Sequence, residues 1–290
     1  MSQTRKINVV WKNKPTLEGA GVHLKRVFGF PQLPKLDPFL MMDDFSSNEP
    51  SEYLAGFPWH PHRGIETITY VVDGEVEHQD SMKNSGVISS GDVQWMTAGS
   101  GILHQEMPKI GPNKKIWGYQ LWANLPASEK MMDPRYRDVK AKEIPEVKLP
   151  SGVTVKIVAG NVDGISGPVK DIVIDPEYMD ISIPPETRFS HPVKPGHTVF
   201  AYVVAGRAEF SDSAQSGSQI GPGNLVLYYH EGDQIEVQTG ESGVRFLLLA
   251  GKPLGEPIAW YGPIVMNTDE ELKVAFEEFR KGGFIKKKAS

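Results

Sequence analysis

Three patterns of apolar and polar positions divide the chain. The first is alternation with a period of two. It runs through Ile7–Trp11, residues 21–28, 65–80, 87–96 and 116–125, each bounded by turn-forming residues. Such segments read as β-strands with one or both faces on a core. Residues 65–80 and 87–96 are expected to pair, with Lys83-Asn84-Ser85-Gly86 as a turn. In 116–125, Trp117, Tyr119, Leu121 and Ala123 share one face. Gly118, Gln120, Trp122 and Asn124 share the other, which makes Gln120 a candidate for substrate contact or for a hydrogen bond on the strand face.

The second pattern is a break. From Pro126 to Pro150, charges and prolines scatter without period, as in a linker with a helical turn between domains. The third is helical. Thr268-Asp-Glu-Glu271 is a capping box, followed by Leu272, Ala275, Phe276 and Phe279 at helical spacing and stopped by Gly282-Gly283. One amphipathic helix over 268–280 is predicted. The expected division is residues 1–140, then 150–265, then a helix and tail over 266–290.

The strand pattern repeats. Tyr70-Val-Val-Asp-Gly74 matches Tyr202-Val-Val-Ala-Gly206, and Gly91-Asp-Val matches Gly223-Asn-Leu, both at a shift of 132 residues. Two anchors at one offset indicate a duplicated β-domain.

Chemistry concentrates in two short stretches of the first copy. Trp59-His60-Pro-His62-Arg63 and Leu103-His104-Gln-Glu106 hold three of the eight histidines. Residues i and i+2 of a strand point to the same side, so each stretch aims two potential ligands into one space. Two such strands facing each other would surround one cation with three imidazoles and one carboxylate. The competing reading is a set of hydrogen-bonded structural histidines. Carried across the repeat, His60 falls on Pro192 and His62 on Lys194, while His104 and Glu106 fall near Glu236 and Gln238. Proline cannot bind a metal and an ammonium repels one, so the second copy is expected to hold none, despite His191 and His197 nearby. His23 and His78 alternate with charged or polar neighbours and are read as surface residues. Asp43-Asp44, with no histidine close in sequence, is read as a solvated strand end.

Composition narrows the classes. The formal net charge of −5 argues against direct nucleic-acid binding, which needs a basic face. With no cysteine, disulfides and thiolate ligands are excluded, so a metal would sit on nitrogen and oxygen. No apolar signal core precedes Ile7 and no run of 18 apolar residues exists. The chain is read as a cytoplasmic monomer with no membrane contact, with the nucleus open to it in a eukaryote.

The blocks His60-Pro-His62-Arg-Gly-Ile-Glu66-Thr, Gly91-Asp-Val-Gln-Trp-Met-Thr-Ala-Gly99-Ser-Gly-Ile-Leu-His104-Gln-Glu106-Met-Pro108 and Leu121-Trp-Ala-Asn-Leu125 resemble the pirin family of the cupin superfamily. Leu36-Asp-Pro-Phe-Leu40 and Pro263-Ile-Val-Met-Asn-Thr268 fit as well, so the likeness covers nearly the whole chain. It implies an all-β fold, two tandem cupin (double-stranded β-helix) barrels packed together, plus the C-terminal α-helix. It implies that His60, His62, His104 and Glu106 bind one divalent transition metal, usually Fe(II), with Mn, Ni, Cu, Co and Zn as alternatives. It also implies quercetin 2,3-dioxygenase activity. A flavonol would bind through its 3-hydroxyl, Glu106 would take the proton as catalytic base, and dioxygen would open the central ring with loss of carbon monoxide. The alternative from the same family is an iron-dependent, redox-sensing co-regulator that binds a transcription factor. A cupin sugar isomerase would use the same ligands without dioxygen, but that likeness covers the cupin core alone.

Overall fold

The computed structural model describes residues 2–33, 35–210 and 218–286. The expected tail beyond 286 lies outside the described residues. The chain forms two compact units. One comprises Lys14–Ala141 and the chain from Leu254 onward; the other comprises the chain up to Asn13 and Lys142–Pro253.

The first unit has a seven-stranded antiparallel sheet. Its strand order is Arg135–Val139, Val93–Thr97, Ile65–Asp73, Trp117–Asn124, Phe39–Asp44, Val22–Phe28, Lys14–Glu18. A four-stranded sheet has the order Phe57–His62, Ile102–Lys109, Glu75–Asp80, Ser85–Ser89. The second unit repeats the plan. Its seven strands are ordered Ile7–Lys12, Asn224–Tyr228, Thr198–Gly206, Val244–Gly251, Glu177–Ile183, Thr154–Ala159, Glu146–Lys148. Its smaller sheet is Arg188–Pro192, Gln234–Gln238, Glu209–Phe210. The repeat seen in sequence is therefore a repeat of strand order for six of the seven strands; the edge strand is Arg135–Val139 in the first unit and Ile7–Lys12 in the second. Gly74 and Gly206 both end the long central strand with positive φ, +107° and +69°, a backbone that side-chain-bearing residues rarely adopt.

The interiors differ. In the second unit a large apolar cluster includes Ile157, Ile181, Val199, Ala201, Phe246 and Leu248. The first unit splits its apolar residues. One cluster gathers Leu24, Phe45, Tyr53, Val71 and Ile116, and another gathers Leu40, Ile65, Met96, Ile102 and Val265. Thr69 stands where the 132-residue shift puts Ala201, and polar side chains occupy the middle.

Four expectations change at this level. Glu75–Asp80 alternates exposed and buried positions, with Val76, His78 and Asp80 inward. His78 is thus buried, stacked on Tyr136 at 5.9 Å. The strand period outweighed the usual surface preference of histidine. Asp43 and Asp44 are also buried. Burial raises the Asp43 carboxyl, against two hydrogen bonds from Arg26, 2.9 Å each, that pull it down. The stretch read as a linker contains Arg135–Val139, which pairs with Val93–Thr97. This is an edge strand, with Arg135 and Arg137 on one face and Asp138 on the other. Ser85 and Gly86, expected in a turn, belong to the strand Ser85–Ser89.

The same stretch hides Lys130, which is 1 % exposed. Its Nζ donates to Gly64 O, Asn124 Oδ1 and Val265 O at 2.9, 2.7 and 3.0 Å. Burial pulls this amine down to about 7, against the raising influence of Glu256 and Glu271. The three oxygens use all three donors of an ammonium. The lysine joins the turn after His62 to the strand Ile264–Met266. Gly64 has no alternative there, since a Cβ would come within 1.9 Å of Val265 O.

The C-terminal helix spans Asp269–Lys281, with the Thr268–Glu271 capping box and Gly282 as its left-handed C-cap. Ala275 packs with Ile264, Met266 and Phe284. Glu278 pairs with the buried Arg63 at 2.8 Å, and Arg63 also donates to Phe284 O. Among the described residues, no helix is long and apolar enough to cross a membrane.

Lys130→Met keeps the volume and strands three buried oxygens. It is expected to cost about 3 kcal/mol of folding free energy, read as a lower urea midpoint with an unchanged slope.

Candidate metal centre

The strand Phe57–His62 lies antiparallel to Ile102–Lys109, with His104 directly opposite His60 and Ile102 opposite His62. A register shift between His104 and Glu106 sets Glu106 opposite Phe57. On its other side the same strand pairs His104 with Asp80 and Glu106 with His78. Within Ile102–Lys109, burial alternates and turns Ile102, His104, Glu106 and Pro108 inward. The two-residue spacing thus turns both His104 and Glu106 inward.

The three imidazoles meet through their Nε2 atoms. His60 Nε2 lies 3.0 Å from His62 Nε2 and 2.9 Å from His104 Nε2. At the far side of the rings, His60 Nδ1 faces Pro58 O at 2.8 Å and His62 Nδ1 faces Pro263 O at 3.2 Å. A carbonyl only accepts, so these Nδ1 atoms carry the protons and their Nε2 atoms present lone pairs. Burial holds His62 and His104 far below the ordinary imidazole range, and the neighbouring imidazoles push the same way. Burial also lowers His60. The rings are neutral, as ligation requires.

Lone pairs facing each other at such distances repel unless a cation sits between them. Two nitrogens at right angles about 2.1 Å from one ion would be about 3.0 Å apart. The donors therefore fit a first-row transition metal, and the trio could hold one. Among the described residues, the one group of three or more potential ligands that gathers this closely is His60, His62 and His104.

Glu106 stands beside this trio. Its Oε2 is 3.9 Å from His104 Nε2 and its side chain is buried. Burial raises its carboxyl to about 7, although Thr69 pulls it down. Thr69 Oγ1 is 3.0 Å from Glu106 Oε1 and 2.6 Å from Gln120 Oε1. One hydroxyl has one hydrogen. Either Thr69 donates to an ionised Glu106 and Gln120 turns its amide nitrogen to Thr69, or a protonated Glu106 donates to Thr69 and Thr69 donates to Gln120. The triad can thus follow the charge on Glu106 without moving its backbone.

A cavity of about 640 Å³ opens beside the histidines. His60, His62, Glu106, Thr69 and Gln120 line one part of it, and Phe45, Phe57, Trp122 and Trp260 give it aromatic walls. The face assigned to Gln120 is confirmed. Thr69, Trp260 and Pro263 were not singled out as site residues beforehand. Thr69 looks like any strand threonine, and the other two enter from the far end of the chain.

In the second unit, His191 Nε2 lies 3.3 Å from Glu177 Oε2, and His197 Nε2 lies 3.8 Å from Asp175 Oδ2. Lys194, at the position corresponding to His62, pairs with Asp175.

Comparison with known proteins places these features in a family. Residues 21–123 match the Pirin family model and residues 178–285 match the Pirin C-terminal cupin domain. A pirin-like protein of Caulobacter vibrioides is 41% identical over 97% of this chain and 99% of its own length. Human pirin is 39% identical over 99% of this chain and 97% of its own. The crystal structure of a quercetin 2,3-dioxygenase from Acinetobacter baumannii superposes with a TM-score of 0.86 at 31% identity, covering 97% of this chain and 99% of that one. With two cupin domains in sequence and a mostly β architecture to match, the chain belongs to the pirin family.

Proposed function

We propose that this protein is a metal-dependent dioxygenase that opens the central ring of a flavonol of the quercetin type. The observation that carries the reading is the convergence of three neutral imidazole nitrogens beside a buried carboxylate, at the wall of an aromatic-lined cavity. Similarity to a quercetin 2,3-dioxygenase over nearly the full chain supports it. His60, His62 and His104 would hold the metal, with Glu106 as a fourth ligand. Nitrogen and oxygen donors without sulfur suit iron, which we propose as the resident ion, and leave manganese, nickel, copper, cobalt and zinc compatible. When bound, the ion supplies Lewis acidity and open positions for oxygen ligands.

The protein's own part is positioning and proton transfer. Phe45, Phe57 and Trp122 offer faces to a planar ring system. Glu106 takes the proton of the substrate 3-hydroxyl. Its carboxylate, buried at the cavity wall, is the lining group placed to accept that proton. Thr69 and Gln120 hold it in either protonation state. Trp122 also packs edge-on against His62 at 5.0 Å, which keeps that ring turned toward its partners. We place the protein in the cytoplasm.

Two measurements test this. His62→Ala and His104→Ala are each expected to bring metal content, read by elemental analysis, well below one per chain. His191→Ala is expected to leave it unchanged. Full occupancy in both of the first variants would show that the ligands lie elsewhere. Glu106→Gln is expected to retain part of the metal and to lower flavonol turnover by about 10²-fold or more, followed as dioxygen uptake with carbon monoxide release. Unchanged turnover would remove the carboxylate from its role as base.

A further inference from the structure

The register of the seven-stranded sheet draws a polar row along the cavity wall. Thr69 pairs with Gln120, Gln120 with Asp43, and Asp43 with Arg26, each on the next strand. Paired residues of an antiparallel sheet share a face, and strands lie about 4.8 Å apart, so the row runs about 14 Å. Its near end touches Glu106 through Thr69. Its far end is Arg26, and all four residues line the cavity.

That far end is acidic in balance. Arg26 Nε and Nη2 donate to the two oxygens of Asp43 at 2.9 Å each, and Nη2 lies 2.8 Å from Glu18 Oε1. One guanidinium thus faces two carboxylates. The sheet register pairs Arg26 with Lys14, not with Glu18. Glu18 therefore meets Arg26 by reaching along the wall. Its side chain is 41% exposed where that of Asp43 is 5% exposed. Of the two carboxylates at this end, Glu18 is the one that a ligand in the cavity can reach, and one of its two oxygens is taken by Arg26.

Resting on the reading of this cavity as a flavonol site, we infer that Glu18 sets substrate class. It accepts hydrogen bonds from hydroxyls on the ring remote from the histidines and repels anionic groups there. The ligand class is a planar, uncharged polyphenol with hydroxyl donors at its far end. Sulfated or carboxylated conjugates at that end bind more weakly, because Arg26 is already neutralised by Asp43 and Glu18 and cannot serve as their counter-charge.

Anaerobic calorimetric titration of the metal-loaded full-length protein with quercetin and with quercetin 3′-sulfate reads this without turnover. Wild type is expected to bind quercetin about ten-fold tighter than the sulfate. Glu18→Gln keeps the shape and removes the charge, and is expected to narrow the gap to about three-fold. Glu18→Lys is expected to close or invert it. Glu18 is half exposed near the end of an edge strand, and matching urea midpoints would show that both variants fold. Equal affinities in wild type, or a gap unchanged by both substitutions, would overturn the selective role and leave the flavonol site standing. Failure of wild type to bind either compound would overturn both readings together.

Discussion

The first unit is organised around an electrostatic conflict. Two short strands bring the His62 and His104 nitrogens to about 3 Å from that of His60, and burial denies those rings the protons that would relieve the crowding in another way. In water such rings would turn their lone pairs to solvent. Here carbonyls of Pro58 and Pro263 fix the outer nitrogens of two rings, and the lone pairs have nowhere else to point. The arrangement costs free energy that a cation would return, so the centre is built for an ion and maintained by the packing around it.

The duplicated plan shows what that maintenance requires. The two units share the order of their inner strands and the glycines that end the long strand, yet matching inward positions carry different side chains. In the second, Val199, Ala201 and Val203 of the long central strand join one cluster with Phe246 and Leu248. At the matching positions the first unit has Thr67, Thr69 and Val71. A hydroxyl at position 69 where the other copy has a methyl group turns a core position into a hydrogen-bond junction for Glu106 and Gln120. The same scaffold therefore yields a packed interior or a polar one through a few inward side chains, with no change in topology. This is how β-barrels commonly separate stability from chemistry.

Much of this was legible in the sequence because a strand has a period of two. That period predicted that His60 would share a face with His62, that His104 would share one with Glu106, and that Gln120 would turn toward the interior. The period was less decisive where residue type argued against it. His78 sits inward on an alternating strand, but histidine among charged residues suggests a surface. Asp43 ends an apolar run, and its partner Arg26 lies on a neighbouring strand whose register no local pattern reveals. Lys130 is the extreme case. A lysine in a charged, proline-containing stretch gives no local sign that three buried oxygens, two of them backbone carbonyls, await it. The cavity walls were illegible for the same reason. Trp260 and Pro263 join the histidines by tertiary contact across about two hundred residues of chain, as the His62 to Pro263 hydrogen bond shows.

That long-range contact explains why the chain after Leu254 belongs to the first unit. Pro263 orients the His62 ring, Val265 receives Lys130, and Glu278 and Phe284 hold Arg63, the residue that follows His62. Three successive residues, His62, Arg63 and Gly64, are thus fixed by groups from the last part of the chain. Each tie is a hydrogen bond or ion pair with at least one buried partner, so each has the directionality that apolar packing lacks. A metal centre tolerates little drift in its ligand angles. The C-terminal hairpin and helix supply that rigidity to the turn where the ligand strand ends, and the first unit's site is complete only once the end of the chain has returned to it.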